Sequence, residues 1–139
     1  SVDRVNELLT ARFARCALIR VQNPIALPAS RLYPDFAILR PRADYYTTSK
    51  PEAPDIFVVI EVSDTSLVRD RDVKLPAYAR AGIPEGWVLD VTGGVLIVGR
   101  DPGPTGYATT TVHRRGERLT VPDLPDVTLS ADELLGPSR

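Results

Sequence analysis

Glu61 interrupts the most apolar run of the chain, Ile56-Phe57-Val58-Val59-Ile60, with Val62 directly behind it. A carboxylate buried there without a partner costs several kcal/mol or neutralises itself through a raised pKa. Two readings are open. Glu61 belongs to a site at the C-terminal end of a central strand, where sites of α/β sheets gather, or it stands just past the buried stretch and is solvated. Asp35 is the second acid of interest. The dipeptide Pro-Asp is weak evidence by itself, because it also occurs at Pro54-Asp55, Pro122-Asp123 and Pro125-Asp126, and both residues are ordinary in turns. Asp35 is set apart by its position ahead of an apolar strand, a loop and then the Glu61 strand. Neighbouring strands can bring the two acids side by side, whereas Asp55 lies at the far end of Glu61's own strand, about 20 Å away. Lys74 is the third residue. Of 17 basic residues only Lys50 and Lys74 are lysines. An arginine-rich chain that keeps lysine here retains a compact ammonium of tunable pKa, which arginine cannot supply. The alternative is an exposed lysine pairing with Asp70, four residues earlier.

These residues need elements to position them. Residues 2–17 have the spacing of an amphipathic helix, with Val2, Val5, Leu8, Leu9, Phe13 and Cys16 on one face and Asp3, Glu7, Thr10 and Ala14 opposite. Cys16 reads as a small core residue and Glu7 as solvated. Residues 18–27 look extended, with a break at Pro24. Phe36 to Leu39 is a short strand after Tyr33-Pro34-Asp35, and residues 43–55 form a polar loop. Residues 56–62 read as a strand buried on both faces. A helix from Ser66 or Asp70 to Ala81 either begins near Pro76 or kinks there, and stops at Gly82. Trp87 to Val91 completes a βαβ unit with a right-handed crossover. Gly93-Gly94 makes a hairpin to Val95–Gly99, and Asp101-Pro102-Gly103-Pro104 is a turn cluster. Tyr107 to His113 and Arg118 to Val121 read as strands around a turn at Gly116. Ser130 and Glu133 form a capping box that opens a C-terminal helix. His113, in the late strands, shows no evident partner.

The predicted fold class is α/β: a mixed sheet, a flanking N-terminal helix, a βαβ crossover helix and a C-terminal β-hairpin extension. The Asp35 and Glu61 strands should be antiparallel, and the Glu61 and Trp87 strands parallel. The chain of 139 residues suits one domain, 1–139, and its 43% hydrophobic content supports a packed core. No apolar run approaches a membrane span. The chain begins at Ser1 and has no methionine, which predicts a processed or trimmed chain, and no secretory leader pattern is visible. One cysteine cannot make an internal disulfide, so a cytoplasmic location is expected. A net charge of −1 gives no chain-wide pull on a polyanion, so a nucleic-acid partner must meet local basic surface.

Pro34-Asp35 with Phe36 to Pro41, Val59-Ile60-Glu61-Val62-Ser63-Asp64, then Asp70, Lys74, Tyr78, Ala81 to Glu85 and Trp87 to Asp90 together resemble the Uma-type family of restriction-endonuclease-like proteins. That family belongs to the PD-(D/E)XK nuclease superfamily. The resemblance is detailed from about Tyr33 to Val91. It implies a Mg²⁺-dependent endonuclease (Mn²⁺ as an alternative) that hydrolyses phosphodiester bonds in DNA. It further implies Asp35, Glu61 and Lys74 as the catalytic set, with the metal on Asp35, Glu61 and the Val62 carbonyl. The superfamily lysine usually stands two residues after the second carboxylate, a place taken here by Ser63. The resemblance puts the lysine on the following helix. Ser63 and Tyr78 are accessory candidates: Ser63 as a partner of the lysine or a water, Tyr78 as a buttress, a substrate contact or a core ring. Arg40, Arg42, Arg69 and Arg71 flank the set in sequence, as phosphate contacts or as solvated surface. Gly86 stands where a larger residue is expected before Trp87. A homodimer is compatible with a domain of this kind.

Two rival readings remain at this level. One is a catalytically silent nucleic-acid- or protein-binding module on the same scaffold, since fold does not fix activity. The other is a structural domain in which Glu61 and Lys74 are an ion pair. Metal binding separates them: the nuclease requires it, the ion-pair reading excludes it, and the silent module does not need it.

Overall fold

A computed structural model describes residues 2–23, 25, 33–64 and 67–137. Helix α1 (Val2–Phe13) leads into β1 (Leu18–Val21) and β2 (Phe36–Leu39). A single 3₁₀ turn, Ala53–Asp55, precedes β3 (Ile56–Ser63). The crossover is helical throughout residues 67–80: α2 (Leu67–Arg69), a π-helical turn (Asp70–Lys74) and α3 (Leu75–Arg80). Then come β4 (Glu85–Asp90), β5 (Val95–Gly103), β6 (Gly106–Arg114), β7 (Arg118–Val121), β8 (Leu124–Ser130) and α4 (Ala131–Leu135).

Six strands form one sheet in the order β1-β2-β3-β4-β5-β6. It is mixed: β2 and β3 run antiparallel, and β3 and β4 run parallel through the helical crossover, as the sequence predicts. Helix and hairpin pack on one face. There Val5, Leu9 and Phe13 of α1 meet Phe36, Ile38, Val58, Ile60, Trp87 and Leu89, together with Leu119, Leu129 and Leu134. The other face carries the crossover, where Leu75 and Tyr78 cover Ala37, Val59, Val88 and Ile97. Alternation along a strand sends successive side chains to opposite faces, so this register decides which layer each candidate residue meets.

Several expectations are corrected. Helix α1 ends at Phe13, whose carbonyl accepts from the Cys16 and Ala17 N–H groups, so Cys16 lies in the turn and is only partly buried against the core. Residues 101–103 continue β5 rather than forming a turn, with Asp101 at φ 60°. Strand β7 does not pair with β6. It pairs with β8, for which no strand was expected, in a separate two-stranded sheet. Pro122-Asp123 is the turn between them, whereas Pro125 and Asp126 lie within β8, exposed, where the missing N–H is tolerated at an edge. His113 has partners, Thr111 Oγ1 at 3.0 Å and Glu117 Oε1 at 3.3 Å. The expected helix start at Ser66 and the extended stretch at residues 26–27 lie outside the described residues.

The Pro76 question resolves as neither a start nor a sharp break. The Leu75 N–H reaches back five residues to the Asp70 carbonyl, so the turn is widened just before the proline. A proline ring presses on the carbonyl four residues earlier, here Asp72, and a π turn gives that carbonyl room. The helix ends at Gly82, at φ 87°. Gly86 is explained by Tyr107: a Cβ at Gly86 would meet Leu75 Cδ2 at 2.7 Å and the Tyr107 ring at 3.1 Å. At α4, Ser130 Oγ accepts from the Glu133 N–H at 3.0 Å, and Glu133 accepts in return from the Ser130 N–H at 3.1 Å. Glu133 also pairs with Arg12, tying α4 to α1. Among the described residues no helix is long and apolar enough to cross a membrane.

Candidate functional site

Phe36 pairs with Ile60 across the β2–β3 ladder. The ladder ends at that pair, and continuing its register sets Asp35, in the bend before β2, beside Glu61, whose carboxyl feels its charge. Directly opposed residues project to the same face, and this is the face covered by the crossover helix. The Asp35 carboxylate accepts from the Val62 N–H at 2.8 Å, so the acid is tied to the backbone beside its neighbour. The N–H and C=O of one strand residue leave on the same edge, so the Val62 carbonyl leaves on Asp35's side. The Val62 side chain turns to the other face, where it packs on the core under α1.

Glu61 is 1% exposed, which rules out the solvated reading. Its two oxygens are separately held. Lys74 Nζ donates to Oε2 at 3.0 Å, and the Tyr78 hydroxyl donates to Oε1 at 2.7 Å. Burial pushes the Glu61 carboxyl up to about 7, with the Tyr78 hydrogen bond and the Lys74 charge opposing and Asp35 adding to the rise. Burial alone would depress the Lys74 ammonium, but the charges and hydrogen bonds of Glu61 and Asp70 outweigh it and hold it above the ordinary lysine value. Tyr78 is fully buried, and its hydroxyl is raised by burial and by the nearby Glu61 carboxylate. Its ring packs in the core beneath the helix while its hydroxyl holds Glu61.

The two sequence readings of Lys74 coexist: besides Glu61, it lies 3.1 Å from Asp70 Oδ1. Asp70 is itself buried, and its other oxygen accepts from the Ser63 hydroxyl. Ser63 therefore faces the site, two residues after Glu61, but bonds Asp70 rather than the lysine. In the sequence Asp70 stands as a surface partner of Lys74 and as one residue of the family-like string, with no role of its own. The i, i+4 spacing was the available signal, and its burial comes from helix docking on the sheet. A second buried acid, Glu85, which the sequence offers only as part of the family-like string, is 2% exposed, accepts from Trp87 Nε1 at 2.7 Å and pairs with Arg100. It lies at the opposite end of the sheet and on the other face, with Trp87.

The four arginines separate. Arg40 and Arg42 follow β2 and so lie at the start of β3, away from Glu61. Arg40 stacks over Phe57 at 4.4 Å, and Arg42 over Tyr46 at 3.9 Å with Asp44 as its ion-pair partner. Arg69 and Arg71 flank the buried Asp70 on the crossover helix and are exposed; Arg71 pairs with Asp72 at 2.8 Å and feels the charge of Asp90 at the end of β4. Among the described residues, no three of His, Cys, Asp and Glu cluster as a preformed metal centre would.

A model of the Uma2 family, described as "Putative restriction endonuclease", matches residues 2–132. Among solved structures, the chain is similar to a protein from Anabaena variabilis ATCC 29413 described as a putative nuclease belonging to DUF820. The TM-score is 0.66 at 18% identity, over 96% of this chain and 75% of that one. At that identity the likeness bears on the fold alone. No curated protein matches the chain.

Proposed function

The chain belongs to the Uma2 family, and we propose that it is a Mg²⁺-dependent endonuclease, a single nuclease-like domain over residues 1–139 that hydrolyses phosphodiester bonds in DNA. One observation carries this reading: Asp35 and Glu61 face each other across adjacent strands, and Asp35 makes the charge on Glu61 costlier. Two opposed carboxylates repel each other, and a divalent cation held by both removes that cost.

The donor chemistry fits a hard divalent cation, which takes oxygen ligands from carboxylates, carbonyls and water. Asp35, Glu61 and the Val62 carbonyl would hold it, Mg²⁺ or alternatively Mn²⁺. Each carboxylate oxygen has two lone pairs, so Glu61 can keep the Tyr78 hydrogen bond while serving as a ligand. When bound, such a cation polarises a phosphate and lowers the pKa of a coordinated water. The chain's own residues do the rest. Lys74 leans towards the developing oxyanion or holds the attacking water by an N–H donor. Tyr78 fixes the rotamer of Glu61. Arg69 and Arg71, exposed on the crossover helix, would meet a phosphate beside the site. Arg40 and Arg42 would touch a substrate only about 17 Å away along β3. The unpaired Cys16 suits a reducing, cytoplasmic setting. A homodimer would give one site to each strand of a duplex.

The Lys74–Glu61 contact favours a second reading, a structural ion pair that needs no metal. Asp35 weighs against it, because a purely structural pair gains nothing from a second carboxylate opposite. Calorimetric titration with Mg²⁺ and Mn²⁺ tests the choice. Saturable binding by the parent, lost in Asp35→Ala, is expected. No binding by the folded parent would leave only the ion-pair reading or a silent module.

A further inference from the structure

Where the superfamily pattern keeps a lysine on the strand, this chain has Ser63, and the ammonium reaches Glu61 from a helix instead. A lysine on a helix has four rotatable bonds between its backbone and its charge, so its position must be fixed by other groups. The buried neighbour of the ammonium is Asp70. One of its oxygens lies 3.1 Å from Lys74 Nζ, and the other accepts from the Ser63 hydroxyl on β3. Asp70 opens the π turn, and its carbonyl takes the widened hydrogen bond from Leu75. One residue thus joins the strand end, the helical turn and the ammonium.

We propose that Asp70 is a positioning residue: it links Ser63 to Lys74 and holds the ammonium against Glu61, replacing the strand-borne lysine. This rests on the endonuclease reading for its catalytic consequence but not for the contact itself. Glu61 alone would not suffice. It is the residue proposed to hold a cation, and a ligand that engages metal ceases to be a strong anchor for an ammonium. Asp70 lies on the helix, bonded to Ser63 and outside the proposed metal ligands, and so keeps its contact with Lys74 when Glu61 engages a cation.

The chain itself supplies a clean assay, because Lys50 and Lys74 are its only lysines and Lys50 is exposed. In protein labelled with nitrogen-15 lysine and kept free of metal, a hydrogen-bonded ammonium exchanges slowly enough with water to be observed, and an exposed one does not. Parent and Asp72→Asn, which removes an exposed carboxylate from the same turn, should show the Lys74 ammonium signal. Asp70→Asn keeps only the Glu61 contact and should show a clearly weakened signal, and Ser63→Ala should weaken it less. With Mg²⁺ and DNA, Asp70→Asn should lower kcat by on the order of ten- to a hundredfold with KM little changed, as for other outer-sphere supports. An unchanged Lys74 signal in Asp70→Asn, with parent-like kcat, overturns the proposal. If Asp70→Asn fails to fold, a parent-like signal in Ser63→Ala overturns it. A parent that cuts no nucleic acid while the ammonium signal still depends on Asp70 overturns the endonuclease reading and leaves the positioning role intact.

Discussion

Replacing Glu61 by glutamine should stabilise the metal-free protein above neutral pH. Glu61 is almost wholly enclosed, and burial lifts its carboxyl from 4.5 to about 7. A group whose folded pKa is raised binds its proton more tightly in the folded state. Its contribution to stability is therefore complete below the unfolded value and lost as pH rises through the folded one. Each unit corresponds to about 1.4 kcal/mol, so carrying the charge costs the fold on the order of 3 kcal/mol. Glutamine resembles the neutral acid: it keeps an oxygen for the Tyr78 hydroxyl, and Lys74 retains Asp70. Parent and Glu61→Gln should be similar in stability near pH 4, and the variant should gain up to about 3 kcal/mol near pH 8. Urea unfolding with chelator present, across that range, measures the difference. Added Mg²⁺ should stabilise the parent and not the variant, because binding to the native state alone shifts the equilibrium. A variant less stable than the parent near pH 8 without metal would show that the Lys74 charge, not burial, governs Glu61.

Lys74→Ala should bind Mg²⁺ at least as well as the parent while cleavage falls on the order of a hundredfold, and Lys74→Arg should also be impaired; Lys50→Ala should cleave normally. Gly86→Ala forces a methyl against Leu75 and Tyr107 and should cost about 1–3 kcal/mol in urea unfolding. Ser130→Ala removes the cap of α4 and should cost about 1 kcal/mol by the same measure.

The sheet around the site could be read from the sequence because its signals are local. A nearly continuous run of β-branched and aromatic residues marks β3, a strand–loop–strand order makes β2 its antiparallel neighbour, and the glycine stop after Ala81 ends the crossover before β4. Strand β8 was hidden because Pro125-Asp126 looks like a turn. Only the pairing with β7 shows that it lies on an edge where proline is harmless. The arginines illustrate a different limit. Asp35 precedes β2 and Arg40 follows it, so residues close in sequence stand at opposite ends of one strand. Asp70 and Ser63 were unreadable as a pair because their contact exists only once the helix docks on the sheet. Tyr78 was legible in part: its spacing from Lys74 gives the shared face, but the hydroxyl's bond to Glu61 depends on how far the helix stands above β3.

The central claim is that Asp35 and Glu61 form a metal-dependent nuclease site, and cleavage of supercoiled plasmid tests it most directly. Parent and Asp35→Ala are compared side by side with Mg²⁺ and with chelator. The account predicts nicked and linear products from the parent with Mg²⁺ alone, and none from Asp35→Ala. Equal cleavage by both proteins, or none by a folded parent that binds the metal, would contradict it.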